Sequence, residues 1–83
     1  MSIADDKFKR LKFRKRESKN MKYIEYIQNQ EGTQAVISFD EVTKTIMAAL
    51  YLKGAIFSRG LAITVEELDA INEKIKELEW KKI

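Results

Sequence analysis

The sequence contains no cysteine and no histidine. Without cysteine the fold has no disulfide, and without either residue a zinc site built from thiolate and imidazole is excluded. The same absences remove nucleophile and base arrangements that use Cys or His, leaving only carboxylate, lysine, serine or tyrosine chemistry. Glycine is scarce, and Gly54 and Gly60 lack the following Lys-Ser/Thr of a phosphate-binding loop. Long apolar runs are missing too. The most apolar stretch, Ile46 to Ile63, is interrupted by Lys53 and Arg59 and falls short of the roughly 20 apolar residues that a bilayer requires. The N-terminus is basic but no apolar segment follows the charges, which argues against a secretory signal. The expectation is a soluble, non-enzymatic protein without metal or cofactor, and the absence of cysteine fits a reducing, cytoplasmic setting.

A chain of 83 residues is one small domain, and at this size only about 60% of the unfolded chain's surface is buried. The core is therefore thin, and stability rests on apolar packing or on association. Lysine outnumbers arginine and isoleucine is abundant, a composition that hints at an AT-rich bacterial or phage genome.

The net charge of +3 conceals a strong polarity. Residues 7 to 22 hold nine bases (Lys7, Lys9, Arg10, Lys12, Arg14, Lys15, Arg16, Lys19 and Lys22) against the single acid Glu17, a local charge of +8. Residues 23 to 83 hold seven bases and ten acids, or −3. Such asymmetry points to a basic arm over residues 1–20, either disordered or helical, that meets an anionic partner, with residues 21–83 as the folded domain. Phe8, Leu11 and Phe13 are interleaved with the bases. In a helix Ala4, Phe8, Leu11 and Lys15 share a face, whereas in a strand Leu11 pairs with Phe13. Two roles fit these apolar residues: stacking on bases while the cations neutralise phosphates, or docking the arm onto its own domain.

From Met21 the chain becomes apolar. Residues 21–29 are rich in Tyr and Ile, residues 34–39 are β-prone, and Gly32 lies between them, so the sequence predicts a β-hairpin. A helix from Lys19 to Glu31 is the competing assignment. Ser38 and Glu41 have the spacing of a capping box, which predicts a helix over 39–53 with an unusually broad apolar surface. Residues 54–63 then connect, with Arg59 exposed on a Ser58-Arg59-Gly60 turn. Thr64 and Glu67 form a second capping box, which predicts a helix over 65–82. Its apolar residues Leu68, Ile71, Ile75 and Leu78 form a narrow seam that suits an antiparallel helix pair. The expected fold is thus α+β: a basic arm, a hairpin and two paired helices, with a small all-α domain as the alternative. The acid pairs Asp40-Glu41 and Glu66-Glu67 serve helix N-termini rather than catalysis.

These observations favour a binding protein. The expected anion or nucleic-acid contacts are Lys7, Lys9, Arg10, Lys12, Arg14, Lys15, Arg16, Lys19, Lys22 and Arg59. The expected protein interface, for self-association into a homo-oligomer, is Met47, Tyr51, Leu68, Ile71, Ile75, Leu78 and Trp80. The alternative is an adaptor or inhibitor that presents its apolar helical surface to another protein while the arm steers it to an acidic partner.

Overall fold

The computed structural model describes residues 2–18, 20–52 and 58–80, with residues 58 and 59 described by their strand pairing. The basic segment is folded. Helix α1 spans Ile3–Arg10, and its N-cap Ser2 accepts a hydrogen bond from the Asp5 N–H at 2.9 Å. Asp5 and Asp6 in its first turn, with Lys7, Lys9 and Arg10 in its last, match the polarity of the helix dipole. The helix stops in a Schellman motif: Phe13 N–H bonds the Phe8 carbonyl, Lys12 N–H bonds the Lys9 carbonyl, and Lys12 takes the left-handed conformation at φ 72°. The apolar contact that accompanies this motif is the edge-to-face pair Phe8–Phe13, with ring centroids 5.7 Å apart.

Four longer strands and a short fifth follow: β1 (Arg14–Ser18), β2 (Tyr23–Gln30), β3 (Thr33–Asp40), β4 (Thr45–Leu52) and β5 (Ser58–Gly60). They form one antiparallel sheet in chain order, a meander. Between β2 and β3 the loop is Glu31-Gly32, where Gly32 supplies the positive φ that a type II turn requires at its second central residue. Helix α2 (Val65–Glu77) begins with the reciprocal hydrogen bonds of Thr64 and Glu67. It stops at Glu77, before the expected end at 82, and does so as α1 does, with Trp80 N–H on the Ile75 carbonyl, Glu79 N–H on the Lys76 carbonyl, and Glu79 at φ 57°.

This architecture overturns the expected hairpin with two following helices, and the all-α alternative with it. Residues 21–29 and 34–39 contribute to β2 and β3, but as inner strands of a larger sheet. The segment expected as a helix over 39–53 is the β3–β4 turn and β4. The expected Ser38–Glu41 box does not form, since Ser38 is buried in β3 with its hydroxyl on the Met47 carbonyl and the Glu41 N–H bonds the Lys22 carbonyl. Instead Asp40 Oδ1 accepts from the N–H groups of Val42 and Thr43, at 2.9 and 3.2 Å. These are the bonds of a helix cap, yet here they close a turn of four residues, with Lys44 at φ 57°. Beyond the turn, pairing with the whole of β3 outweighs the helical preference of the Met-Ala-Ala-Leu run. The partner of α2 is therefore α1. Ser2 and Ala4 meet Glu77 while Lys7 meets Asp69, so the two helices run antiparallel.

Both helices pack on one face of the sheet. Phe8, Phe13, Ile24, Tyr26, Ala35, Ile37, Phe39, Ala70 and Ile71 form the buried core, and Leu11, Ala48, Leu50, Leu61, Ile75, Leu78 and Trp80 pack against it. The register sends Ile27, Val36 and Ala49 to the opposite face, where they form a thin buried strip across β2, β3 and β4.

Both left-handed caps lack glycine, and the left-handed conformation costs an L-residue roughly 1–2 kcal/mol. Glu79→Gly is expected to stabilise the protein by about 1 kcal/mol, raising the melting temperature by roughly 4–8 °C for a domain of this size. Gly32→Ala is expected to lower it by a similar amount, through the backbone alone, because a Cβ there meets nothing within 4 Å. Thermal unfolding followed by circular dichroism checks both.

Candidate anion-binding site

The position of the basic residues is set by a polar cluster around Tyr26. The ring of Tyr26 stacks on Phe8 with centroids 3.8 Å apart, and its hydroxyl donates to Asp5 Oδ1 at 2.5 Å. Lys74, only 5% exposed, places Nζ 5.8 Å from the centre of the same ring, 3.5 Å from Asp5 Oδ1 and 3.7 Å from Glu77 Oε1. Glu77 also accepts from Ser2 Oγ at 2.5 Å and from the Ala4 N–H at 2.8 Å. The start of α1 is thereby tied to the end of α2. Every buried side-chain donor and acceptor among the described residues has a partner.

Burial alone would raise the Asp5 carboxyl, but hydrogen bonds from Tyr26 and Lys15 and the charge of Lys74 outweigh it and hold the group below its ordinary value. Glu77 behaves alike. Burial opposes its ionisation, while Ser2, the Ala4 N–H and Lys74 favour it, and the net shift is downward. The Tyr26 hydroxyl is pushed far up by burial, with the Asp5 hydrogen bond and charge adding to the effect, so it remains a donor.

The fold sorts the cationic residues into two groups. Lys7 is bonded to Asp69 at 2.5 Å. Lys15 lies 3.1 Å from Asp5 and 3.8 Å from Glu17, and Arg16 is 2.5 Å from Glu25. Lys9, Arg10, Lys12, Arg14 and Lys22 have no ion-pair partner among the described residues. Arg10 lines a small groove between the helices together with Lys7, Glu66 and Asp69, where the two acids balance the two bases. Lys22 lies in the β1–β2 connection. Lys19 falls outside the described residues, and Arg59, expected on a turn, instead lies in strand β5, paired with Leu50.

Lys9, Lys12 and Arg14 converge on one groove of about 590 Å³ at the corner where α1 turns into β1. The groove is lined from both faces of the sheet. Asp5, Lys9, Lys15 and Tyr26 contribute from the helix side, and Arg14, Ile27 and Asn29 from the far side. Asp5 offsets Lys15 within it, leaving the three other cations uncompensated. Phe8 and Phe13 are buried in the core, so they dock the basic segment onto its own domain, and no face of either ring is left for a base. The groove holds cations over an apolar floor.

The expected interface residues divide differently. Ile71 belongs to the core, and Ile75, Leu78 and Trp80 pack against it, with Trp80 6.1 Å from Phe39. Met47 and Tyr51, expected on a helix, lie on β4 and are exposed, as is Leu68 on α2. Among the described residues no cluster of acidic side chains is arranged to hold a metal ion, and no helix is long and apolar enough to cross a membrane.

The polar cluster makes the fold acid-sensitive. Asp5 and Glu77 have folded pKa values below their ordinary 3.8 and 4.5, so the unfolded chain binds more protons in acid. Their contribution to stability is complete above about pH 5 and is lost as pH falls through the lowered folded values. The melting temperature of the wild type is therefore expected to fall between about pH 5 and pH 3, and to fall less steeply in Asp5→Asn and Glu77→Gln. Parallel curves for wild type and variants would contradict this assignment.

No family model, no curated protein and no solved structure matches this chain.

Proposed function

We propose that the protein is a non-enzymatic nucleic-acid-binding module that holds the phosphate backbone through the groove at the α1–β1 corner. The observation that carries this reading is the sorting of the cations. A protein with mixed surface charge pairs many of its bases internally, and here Lys7, Lys15 and Arg16 are paired in this way. The three bases left without a partner at one groove are Lys9, Lys12 and Arg14. Uncompensated positive charge brought together on a concave surface raises the local concentration of anions and steers their approach.

Arginine and lysine contribute differently. Arg14 presents a planar fork suited to two phosphate oxygens at once, whereas the two ammonium groups act as mobile point charges. Lys12 is held on the turn by its left-handed backbone, and Lys9 stands three residues before it on the last turn of α1. The expected interface of two apolar helices loses its basis, since residues 45–52 are a strand. Self-association through such a helical body is not part of the reading.

If Lys9, Lys12 and Arg14 each meet one phosphate, log K should fall with log salt at a slope of about −2.7 on duplex DNA and about −2.1 on a single strand. The combined variant Lys9→Gln, Lys12→Asn, Arg14→Gln should abolish most of that slope. Asn is chosen for residue 12 because it tolerates positive φ. Lys44→Gln, a charge removed at the β3–β4 turn, should leave the slope unchanged. Fluorescence anisotropy with labelled oligonucleotides over a salt series measures it, and a slope indifferent to the triple variant would sink the proposal.

A further inference from the structure

Resting on that reading, we infer that the nucleic acid is single-stranded and crosses the sheet face opposite the helices, from Arg14 on β1 to Tyr51 on β4. The groove already reaches this face through Arg14, Ile27 and Asn29. Antiparallel register fixes what comes next. Arg14, Ile27, Val36 and Ala49 form one row across the strands, in which the three apolar side chains are buried, so the path runs from Arg14 along the adjacent, more exposed row of Asn29, Gln34 and Tyr51. Among the described residues neither helix packs on this side, because the rings and aliphatic groups that meet α1 and α2 all lie on the other face. From β1 to β4 the face is about 14 Å wide at the usual strand spacing.

The order of chemistry along that path suits a single strand. Cations at the β1 edge face phosphate. Next come two side-chain amides, joined by the Gln34 Nε2 to Asn29 Oδ1 hydrogen bond of 3.0 Å, which offer donors and acceptors to base edges. The path ends on a tyrosine ring that is 40% exposed, with Met47, 61% exposed, four residues earlier on the same strand and the same face. Stacking on an exposed ring requires a base whose face is free, as it is in a single strand and not inside a duplex.

Duplex recognition needs a different shape. The major groove is about 12 Å wide and admits a helix or a two-stranded ribbon. Helix α1 is packed against α2 and the sheet along its apolar side. The sheet, at five strands, is about 19 Å across and too broad to enter. Duplex DNA therefore meets only the corner cations, while a single strand also gains the amides and the ring.

Anisotropy titrations with full-length protein, using dT and U octamers and a duplex of the same length, test this. Wild type is expected to bind both octamers more tightly than the duplex. Tyr51→Leu, which keeps an apolar strand residue but removes the stacking face, should weaken single-strand binding about 5- to 150-fold, the range of base–aromatic stacking. Duplex binding should change by less than about twofold, since that ring makes no contact there. Tyr51→Phe should retain binding, and Arg14→Gln should weaken both ligands. Duplex binding as tight as single-strand binding, or a Tyr51→Leu variant that binds the octamers like wild type, would overturn the inference. If Arg14→Gln still weakened binding in that case, the corner groove would stand as the phosphate site. Failure of wild type to bind any of the three would remove both.

Discussion

Tyr26 is the residue through which the N-terminal helix, the sheet and the C-terminal helix are held together. Its ring is a platform for Phe8 on one side and an edge partner for Phe39, its hydroxyl fixes Asp5, and the buried ammonium of Lys74 lies near its ring. A helix of eight residues has no stability of its own in water. What keeps α1 formed is burial of Ala4 and Phe8 against this platform, together with the hydrogen bonds from Ser2 and Ala4 to Glu77. The geometry of the basic corner follows, because Lys9 and Lys12 are placed by α1 and its cap, and Arg14 by the strand that starts two residues later.

The buried ion cluster also shows which charges are structural. Surface pairs such as Lys7–Asp69 contribute at most about 1 kcal/mol and weaken with salt. Lys74 differs because it is almost fully buried between two carboxylates, where the loss of one partner leaves an uncompensated charge. The positive charge of residues 7–22 is accordingly not one feature. Part of it is consumed in joining α1 and β1 to their neighbours, and part projects outward at the corner. Counting charges along the chain overstates the outward field, and the pairing pattern corrects it.

Much of this was legible in local chemistry and much was not. The Thr64–Glu67 box and the seam Leu68, Ile71, Ile75, Leu78 located α2, since those signals depend only on neighbours within two turns. The glycine between two β-prone segments located the β2–β3 turn. The partner of α2 was not legible. Phe8, Leu11 and Phe13 looked like residues of an arm because their spacing switches from helix to strand at Lys12, and that switch is the Schellman stop itself. Ser2 and Asp5 carry the spacing of an N-cap and were the available signal for α1. Ser38 and Glu41 show the opposite failure, since their spacing is that of a capping box, yet their bonds go to the Met47 and Lys22 carbonyls of neighbouring segments and the local turn is closed by Asp40. Nor does any local pattern bring Tyr26, Lys74 and Glu77 together, because their meeting depends on tertiary packing alone.

The placement of β1 at the outside of the sheet has one further consequence. An outermost strand presents a row of unpaired backbone groups that a second molecule can extend, and a sheet grown in this way continues without limit. The strand in that position here reads Arg-Lys-Arg-Glu-Ser, with Arg14 and Arg16 directed to one face and Lys15 to the other. Two such strands brought side by side would oppose the arginines of one face, while the other face carries both Lys15 and Glu17. The opposite border, β5, is only three residues long. The basic segment thus limits the assembly of copies into fibres, so a change that neutralised it to weaken an anionic ligand would also lower the barrier to aggregation.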